Sequence, residues 1–212
     1  MVENHINNGV LPDHIGYLAF TKKAGSPSKG QSGAPIRIVE FADFRCGHCK
    51  AAVDKLKQAM AYHKKSVEVF FLPFPLGSHP ESMAAAQAAM AAHDQGKFWE
   101  MHDQIFENQR KLEDADLESY AGKIGVDAKK WKGCYSSNKY EKRIKQDQST
   151  AVKLGARGTP AFFVNGRFLS GAQPFPAFQA LIDEELKKAK ASGISNKDYY
   201  KKAVVGKGKK SM

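Results

Sequence analysis

The sequence predicts an α/β fold with an α-helical insertion between a βαβ half and a C-terminal half made of a β-hairpin and a helix. Three patterns carry this expectation. A β-branched run at residues 36–41, an amphipathic stretch at 46–64 and an apolar run at 67–72 follow one another as strand, helix and strand, the order of a parallel βαβ unit. Roughly eighty residues of helical periodicity come next. A short strand pair around Asn165-Gly166 and a last helix complete the pattern.

Each element has a local reason. Residues 22–35 are rich in Gly, Ser, Lys and Pro and read as a loop leading into a core. In 36–41, period-2 alternation puts Ile36, Ile38 and Glu40 on one face, so a carboxylate shares its side with two isoleucines. Val53, Leu56 and Met60 mark the inner stripe of a helix whose first turn contains Cys46 and Cys49. The run at 67–72 is nearly all apolar, as in a buried strand. Ser78 and Glu81 stand at capping-box spacing before the Ala-rich run 83–92, and further helical patterns follow at 98–108, 116–124 and 140–154. Asn-Gly suits a type I′ turn between strands at 161–164 and 168–170, and a final helix is expected at about 176–189. The expected organisation is an N-terminal extension and linker (1–30), one domain at 31–190 with its insertion at about 77–155, and a basic tail at 191–212.

A chain of 212 residues can bury one substantial core. With 42% hydrophobic and 26% charged residues, collagen-like, coiled-coil and wholly disordered chains are excluded. No apolar stretch has the length of a membrane helix, and residues 1–8 carry neither a basic n-region nor an apolar h-region, so no span and no readable export signal are expected. The net charge of +11 is unevenly placed. From residue 187 onward there are nine Lys against Asp198, a local +8 that leaves +3 for the rest. The basicity therefore belongs to the tail, and nucleic acid is not an expected partner; weak contact of the Lys-rich tail with an anionic surface stays open.

Three cysteines, Cys46, Cys49 and Cys134, are too few for a multi-bridge scaffold. Cys46-Gly47-His48-Cys49 lies at a strand-to-helix junction, where free N–H groups and the helix dipole favour an anion. Cys46, flanked by Arg45 and His48, is expected to be a stabilised thiolate, the species that attacks disulfides. The competing reading is half of a zinc site, but neither a second Cys pair nor closely paired histidines supply the other ligands, so no metal is expected. Glu40, six residues before Cys46, is either a solvent-facing edge residue or a buried carboxylate able to accept a proton from Cys49.

The chain resembles the DsbA-like thioredoxin-fold thiol:disulfide oxidoreductases, in the branch with a helical insertion. The resemblance rests on Gly25-Ser26-Pro27, on the run from Ile38 through Glu40, Asp43 and Phe44 to Cys46, on Gly96-Lys97-Phe98-Trp99, on Gly158-Thr159-Pro160 with the hairpin after it, and on Leu181-Ile182-Asp183. It implies a thioredoxin-like fold in which Cys46 attacks, Cys49 resolves, Glu40 is the buried acid and Thr159-Pro160 is a cis-proline loop that binds substrate opposite the redox disulfide. Gly47 departs from the Pro usual after the family's first cysteine and makes the dipeptide Gly-His, as in protein disulfide isomerase domains.

The resemblance further implies disulfide oxidation or isomerisation on unfolded or thiol-bearing proteins in the periplasm or another extracytoplasmic space, with no cofactor beyond the Cys pair and with a redox partner protein to regenerate it. Two alternatives stay open, a disulfide reductase for exported proteins and a non-catalytic peptide-binding module. Cys134 is expected to be a buried, inert thiol in the insertion.

Overall fold

The computed structural model describes residues 25–205. β-Branched and aromatic side chains make the two central strands, β2 (Ile36–Ala42) and β3 (Val67–Pro73), which are buried along almost their whole length. With β1 (Ser28–Gly30), β4 (Ala161–Val164) and β5 (Arg167–Ser170) they form a five-stranded sheet in the order β1-β3-β2-β4-β5. β1 runs antiparallel to β3, and β4 antiparallel to both β2 and β5; Glu40 stands opposite Phe162. Helix α1 (Gly47–His63) connects β2 to β3 through a single 3-10 turn.

The chain divides into two compact units. Among the described residues the first contains those up to Phe41, Ala51–Phe71 and those from Pro160 to Val205. Its core is aromatic: Phe41 meets Phe163 edge-on at 5.9 Å, and Phe162 meets Phe178 at 5.0 Å from the long helix over Phe175–Ala191. The hairpin turn has the expected left-handed pair, φ +47° at Asn165 and +86° at Gly166. Asn165 also ties the hairpin to its surroundings. Its Oδ1 accepts from Arg37 N–H (2.9 Å) and its Nδ2 donates to the Pro35 carbonyl (3.1 Å).

The second unit contains Ala42–Lys50 and Leu72–Thr159. Its helices are α2 (Ser82–His93), α3 (Phe98–Glu107), α4 (Asp114–Lys123), α5 (Ala128–Ser136) and α6 (Glu141–Lys153). Helix α2 is the hub, packing against the other four. Residues 85–92 are all buried, and seven of these eight are Ala or Met, whose small or pliant side chains let helices approach on several sides. Trp131 of α5 donates its indole N–H to the Ala88 carbonyl at 3.0 Å. Among the described residues no helix is long and apolar enough to cross a membrane.

Several boundaries differ from those expected. β1 lies within the segment read as loop, because three exposed residues carry no hydrophobic signal; its end requires glycine, since a Cβ on Gly30 would fall 2.5 Å from the Val67 carbonyl oxygen. Ser78 and Glu81 do not form a capping box: α2 begins at Ser82, and Glu81 makes no side-chain cap bond. The capping box stands instead before α4, where the Asp116 carboxylate accepts from Glu113 N–H at 3.3 Å. Helix α5 was not anticipated, since Trp131 is its single fully buried side chain.

The segment beginning at residue 191, read as a basic tail, remains folded as far as Val205. After the helix over Phe175–Ala191, a short helix at Asn196–Tyr199 and a π-helical turn at Tyr200–Val205 bury Tyr199, Tyr200 and Val204 against Ala189. The Arg37 guanidinium lies 4.1 Å from the centre of the Tyr200 ring. Lys197, Lys201 and Lys202 are exposed and dominate the composition, which hides three apolar anchors. The N-terminal extension up to residue 24 and the last lysines, Lys207, Lys209 and Lys210, lie outside the described residues.

Asn165 offers a test of this packing. Asn165→Ala should cost about 3 kcal/mol in denaturant unfolding, because it strands the Arg37 N–H and places a Cβ-bearing residue without a local partner at positive φ. Asn165→Gly relieves the backbone and should cost about 1 kcal/mol less. Equal midpoints for Asn165→Ala and the native chain would show that the side-chain bonds contribute nothing.

Candidate active site

At the end of β2 the chain turns through Asp43, Phe44 and Arg45 before α1 begins, and one carboxylate organises the turn. The Asp43 side chain is fully buried. It accepts from Arg45 N–H (2.7 Å), Leu76 N–H (2.7 Å) and the Ser82 hydroxyl (2.6 Å), and its Oδ2 lies 3.2 Å from His79 Nδ1. The Asp43 main chain reaches the cysteines directly: its carbonyl accepts from Cys46 N–H (3.1 Å), and its N–H donates to Cys49 Sγ (3.4 Å). Gln109 holds the same turn from another side. Its Nε2 donates to the carbonyls of Phe44 (2.7 Å) and Cys46 (2.9 Å). The Phe44 ring packs on Phe106 at 5.0 Å.

Cys46 therefore sits just ahead of α1, at its cap rather than inside its first turn, and Cys49 lies within that turn. Both thiols are free; Cys46 is 7% exposed and Cys49 completely buried. The two sulfurs differ sharply in acidity. The Cys49 thiol donates to Cys46 and is the largest influence lowering the Cys46 pKa to about 5; burial opposes this, and Thr159 with the backbone N–H groups of Cys49 and His48 adds to it. Burial first, then the neighbouring Cys46 thiolate, pushes Cys49 far above the usual thiol range. The result is one thiol poised to ionise and one that keeps its proton.

Thr159 contributes in both protonation states. Its carbonyl accepts from the Cys46 thiol at 3.4 Å. Its hydroxyl is buried and has no hydrogen-bond partner among the described residues, and as a donor it favours the thiolate once the proton is gone.

The cations flanking Cys46 act differently from expectation. His48 is exposed and lowers the pKa through its backbone N–H. The Arg45 guanidinium lies 3.8 Å from Glu81. Hydrogen bonds at the helix start, not side-chain charge, make the thiolate.

Glu40 and Pro160 belong to the first unit. Glu40 is 1% exposed, opposite Phe162 in the sheet, and its Oε1 has no hydrogen-bond partner among the described residues, so the buried reading of this residue is the one observed. Burial raises its pKa to about 8. Pro160 is buried immediately before β4, and its carbonyl accepts from Gly171 N–H at 2.9 Å. Cys134 is half-buried in α5 rather than enclosed. Its Sγ lies 3.4 Å from the Asp94 carboxylate, and burial together with that carboxylate pushes its pKa to about 11. Among the described residues no group of three His, Cys, Asp or Glu side chains is placed to hold a metal ion.

Sequence reasoning brought Cys46, Cys49 and Thr159 into one site but did not single out Asp43 or Gln109. Asp43 had a local signal, an acid at the end of a strand three residues before a cysteine. Gln109 had none, because its partners lie more than sixty residues away.

The model of the DSBA-like thioredoxin domain matches residues 37–183, which include every residue of this site. The chain belongs to that family. A curated relative, the probable disulfide bond formation protein D of Bacillus cereus, is 33% identical over 174 residues, covering 76% of this chain and 79% of its own. The Na(+)/H(+) antiporter NhaA 3 of Salinispora tropica is 36% identical over 155 residues, or 73% of this chain. This chain spans about a quarter (24%) of that relative's length. Among solved structures, a thioredoxin-like oxidoreductase from Silicibacter pomeroyi DSS-3 superposes with a TM-score of 0.73 at 24% identity, covering 80% of this chain and 96% of its own. The fold is thus thioredoxin-like with a helical insertion.

Two titrations test the site. Thiolate absorbance of the reduced protein should rise with a midpoint near pH 5, and in Cys49→Ala the midpoint should move up by at least a unit, because the strongest donor to Cys46 is gone. A native midpoint at the ordinary thiol value would refute the asymmetry.

Glu40 is tested through stability. Its folded pKa lies above its unfolded one, so the native state binds the extra proton between about pH 4.5 and 8, and stability falls as pH rises through that window. Glu40→Gln should be more stable than the native chain at pH 8 and about equal to it at pH 4, read from denaturant midpoints; a parallel pH dependence in the two proteins would place the ionisation elsewhere.

Proposed function

We propose that this protein is a thiol:disulfide oxidoreductase acting on unfolded or thiol-bearing protein substrates outside the cytoplasm, working as an oxidase or isomerase. The observation that carries the reading is the split between an acid-shifted Cys46, 7% exposed at the helix cap, and a completely buried, base-shifted Cys49.

The oxidised pair accepts two electrons. A substrate thiolate attacks Cys46 Sγ; the Cys46–Cys49 bond breaks, its electron pair leaves on Cys49, and that sulfur takes up a proton. A second substrate thiolate then attacks the substrate sulfur of the mixed disulfide and expels Cys46 as a thiolate. The substrate loses two electrons in forming its disulfide, and the protein holds them as a dithiol. Expulsion is easy because Cys46 is a good leaving group at its lowered pKa. The same stabilised thiolate favours the reduced protein at neutral pH, so the disulfide is a strong oxidant. That supports oxidation or isomerisation over reduction. A redox partner protein returns the dithiol to the disulfide; the Cys pair is itself the redox group.

The remaining residues have roles in the same scheme. Glu40, protonated near neutral pH, supplies the proton for Cys49 when the disulfide opens and recovers it on reoxidation. Thr159 and Pro160 form the loop that receives the substrate as an extended strand through main-chain hydrogen bonds, which gives breadth rather than sequence selectivity. His48, in the dipeptide between the cysteines, contributes to the potential through its backbone N–H, which favours the Cys46 thiolate. An oxidising location suits a pair whose working form is the disulfide.

Trapping separates the two sulfurs. Cys49→Ala incubated with disulfide-bearing substrate should accumulate mixed disulfides through Cys46 on non-reducing electrophoresis, whereas Cys46→Ala should accumulate almost none and lose exchange activity. Cys134→Ala should match the native protein. Adducts on Cys46→Ala but not on Cys49→Ala would reverse the assignment.

A further inference from the structure

Next to the Cys46 turn lies an open cleft of about 490 Å³ whose charge the exchange chemistry does not use. Arg45, Lys50, Arg110 and Lys111 line it, and Glu107 is the one carboxylate in its wall. Lys50 Nζ donates to the Glu107 main-chain carbonyl at 3.3 Å, and Arg45 has Glu81 at 3.8 Å. Arg110 and Lys111 are exposed and make no ion pair among the described residues. Counting Glu81 and Glu107 against the four cations leaves an excess of two positive charges.

The cationic wall has a fixed main chain. Gln109, 8% exposed, is bonded to the carbonyls of Phe44 and Cys46. The Tyr120 hydroxyl donates to the Lys111 carbonyl at 2.8 Å, and Leu112 is buried. Arg110 and Lys111 thus stand between two anchors, one of which is the cysteine's own turn. Gly47, the residue after Cys46, is part of the same lining. A peptide joined to Cys46 Sγ has its neighbouring residues within a few extended-chain steps of this wall, at about 3.3 Å per residue.

We propose that this cleft is a carboxylate-binding subsite, selecting substrate segments with Asp or Glu within a few residues of the exchanging cysteine. The inference rests on the exchange reading above and adds selectivity to it. Unpaired cations beside a reaction centre attract acidic segments, speed their encounter and hold the flanking carboxylate while the sulfurs exchange. Main-chain binding supplies breadth, and the cleft supplies a charge preference on top of it.

The test uses the full chain in its oxidised form and three synthetic peptides, each with one cysteine flanked by two Glu, two Gln or two Lys. Second-order rate constants for consumption of peptide thiol are corrected for each peptide's thiolate fraction. At low salt the Glu peptide should react about five- to tenfold faster than the Gln peptide, and the Lys peptide should react more slowly than both. The Glu-to-Gln ratio should fall towards one at about 0.5 M salt and in the Arg110→Gln/Lys111→Gln double variant. A ratio near one in the native protein at low salt overturns the subsite while leaving exchange intact, and a ratio undiminished in the double variant overturns its placement in this cleft. Failure to consume any peptide overturns the exchange reading and the subsite with it.

Discussion

The site depends on where the Asp43 carboxylate spends its hydrogen-bonding capacity. A buried carboxylate is costly unless its lone pairs are satisfied, and here two backbone amides and a hydroxyl satisfy them, with a histidine nitrogen alongside. The partners come from three stretches of chain: Arg45 from the turn, Leu76 and His79 from the segment after β3, and Ser82 from the start of α2. The same residue's main chain touches both cysteines. One buried side chain thereby joins the helical unit to the turn that presents Cys46. It also explains why Ala42–Lys50 belongs to the compact unit of the insertion rather than to that of most of the sheet.

Given that fixed turn, the chemistry follows from position along one helix. Cys46, at the cap, meets N–H donors and a neighbouring thiol that all prefer its anion. Cys49, one turn in, is sealed from water and faces that anion, so it keeps its proton. Two identical side chains three residues apart thus acquire opposite acidities from burial and hydrogen bonding. The exposed Gly47-His48 dipeptide between them presents backbone rather than bulk at the mouth of the site.

The insertion does more than lengthen the chain. Its α2 hub is built from small side chains, so that four helices converge on it and the segment after α3 returns to the cysteine turn through Gln109. That return also places Arg110 and Lys111 in the cleft beside the Cys46 turn. Cys134 lies in the same unit and is held as a thiol by burial and by Asp94, which also accepts from Lys139 and Tyr140.

The sequence by itself determined whatever depends on near neighbours. Alternating β-branched residues marked β2, the Asn-Gly pair marked the hairpin, and Cys-x-x-Cys at a strand-to-helix junction marked the acid-shifted thiol, because strand pleat, turn dihedrals and helix-start donors are all local quantities. Burial of Glu40 was legible only as one of two possibilities. Tertiary structure decided what depends on residues far apart in the chain: the bonds of Gln109 to the Cys46 turn, the four partners around Asp43, the strand status of Ser28–Gly30, and the docking of Tyr199 and Tyr200 beneath a lysine-rich surface. It also replaced the expected cause of the Cys46 acidity, flanking cations, by hydrogen bonds to the sulfur. The reason is common to all of these. A donor finds its acceptor only after distant segments have packed, and composition records the exposed lysines as fully as it records the few side chains that anchor them.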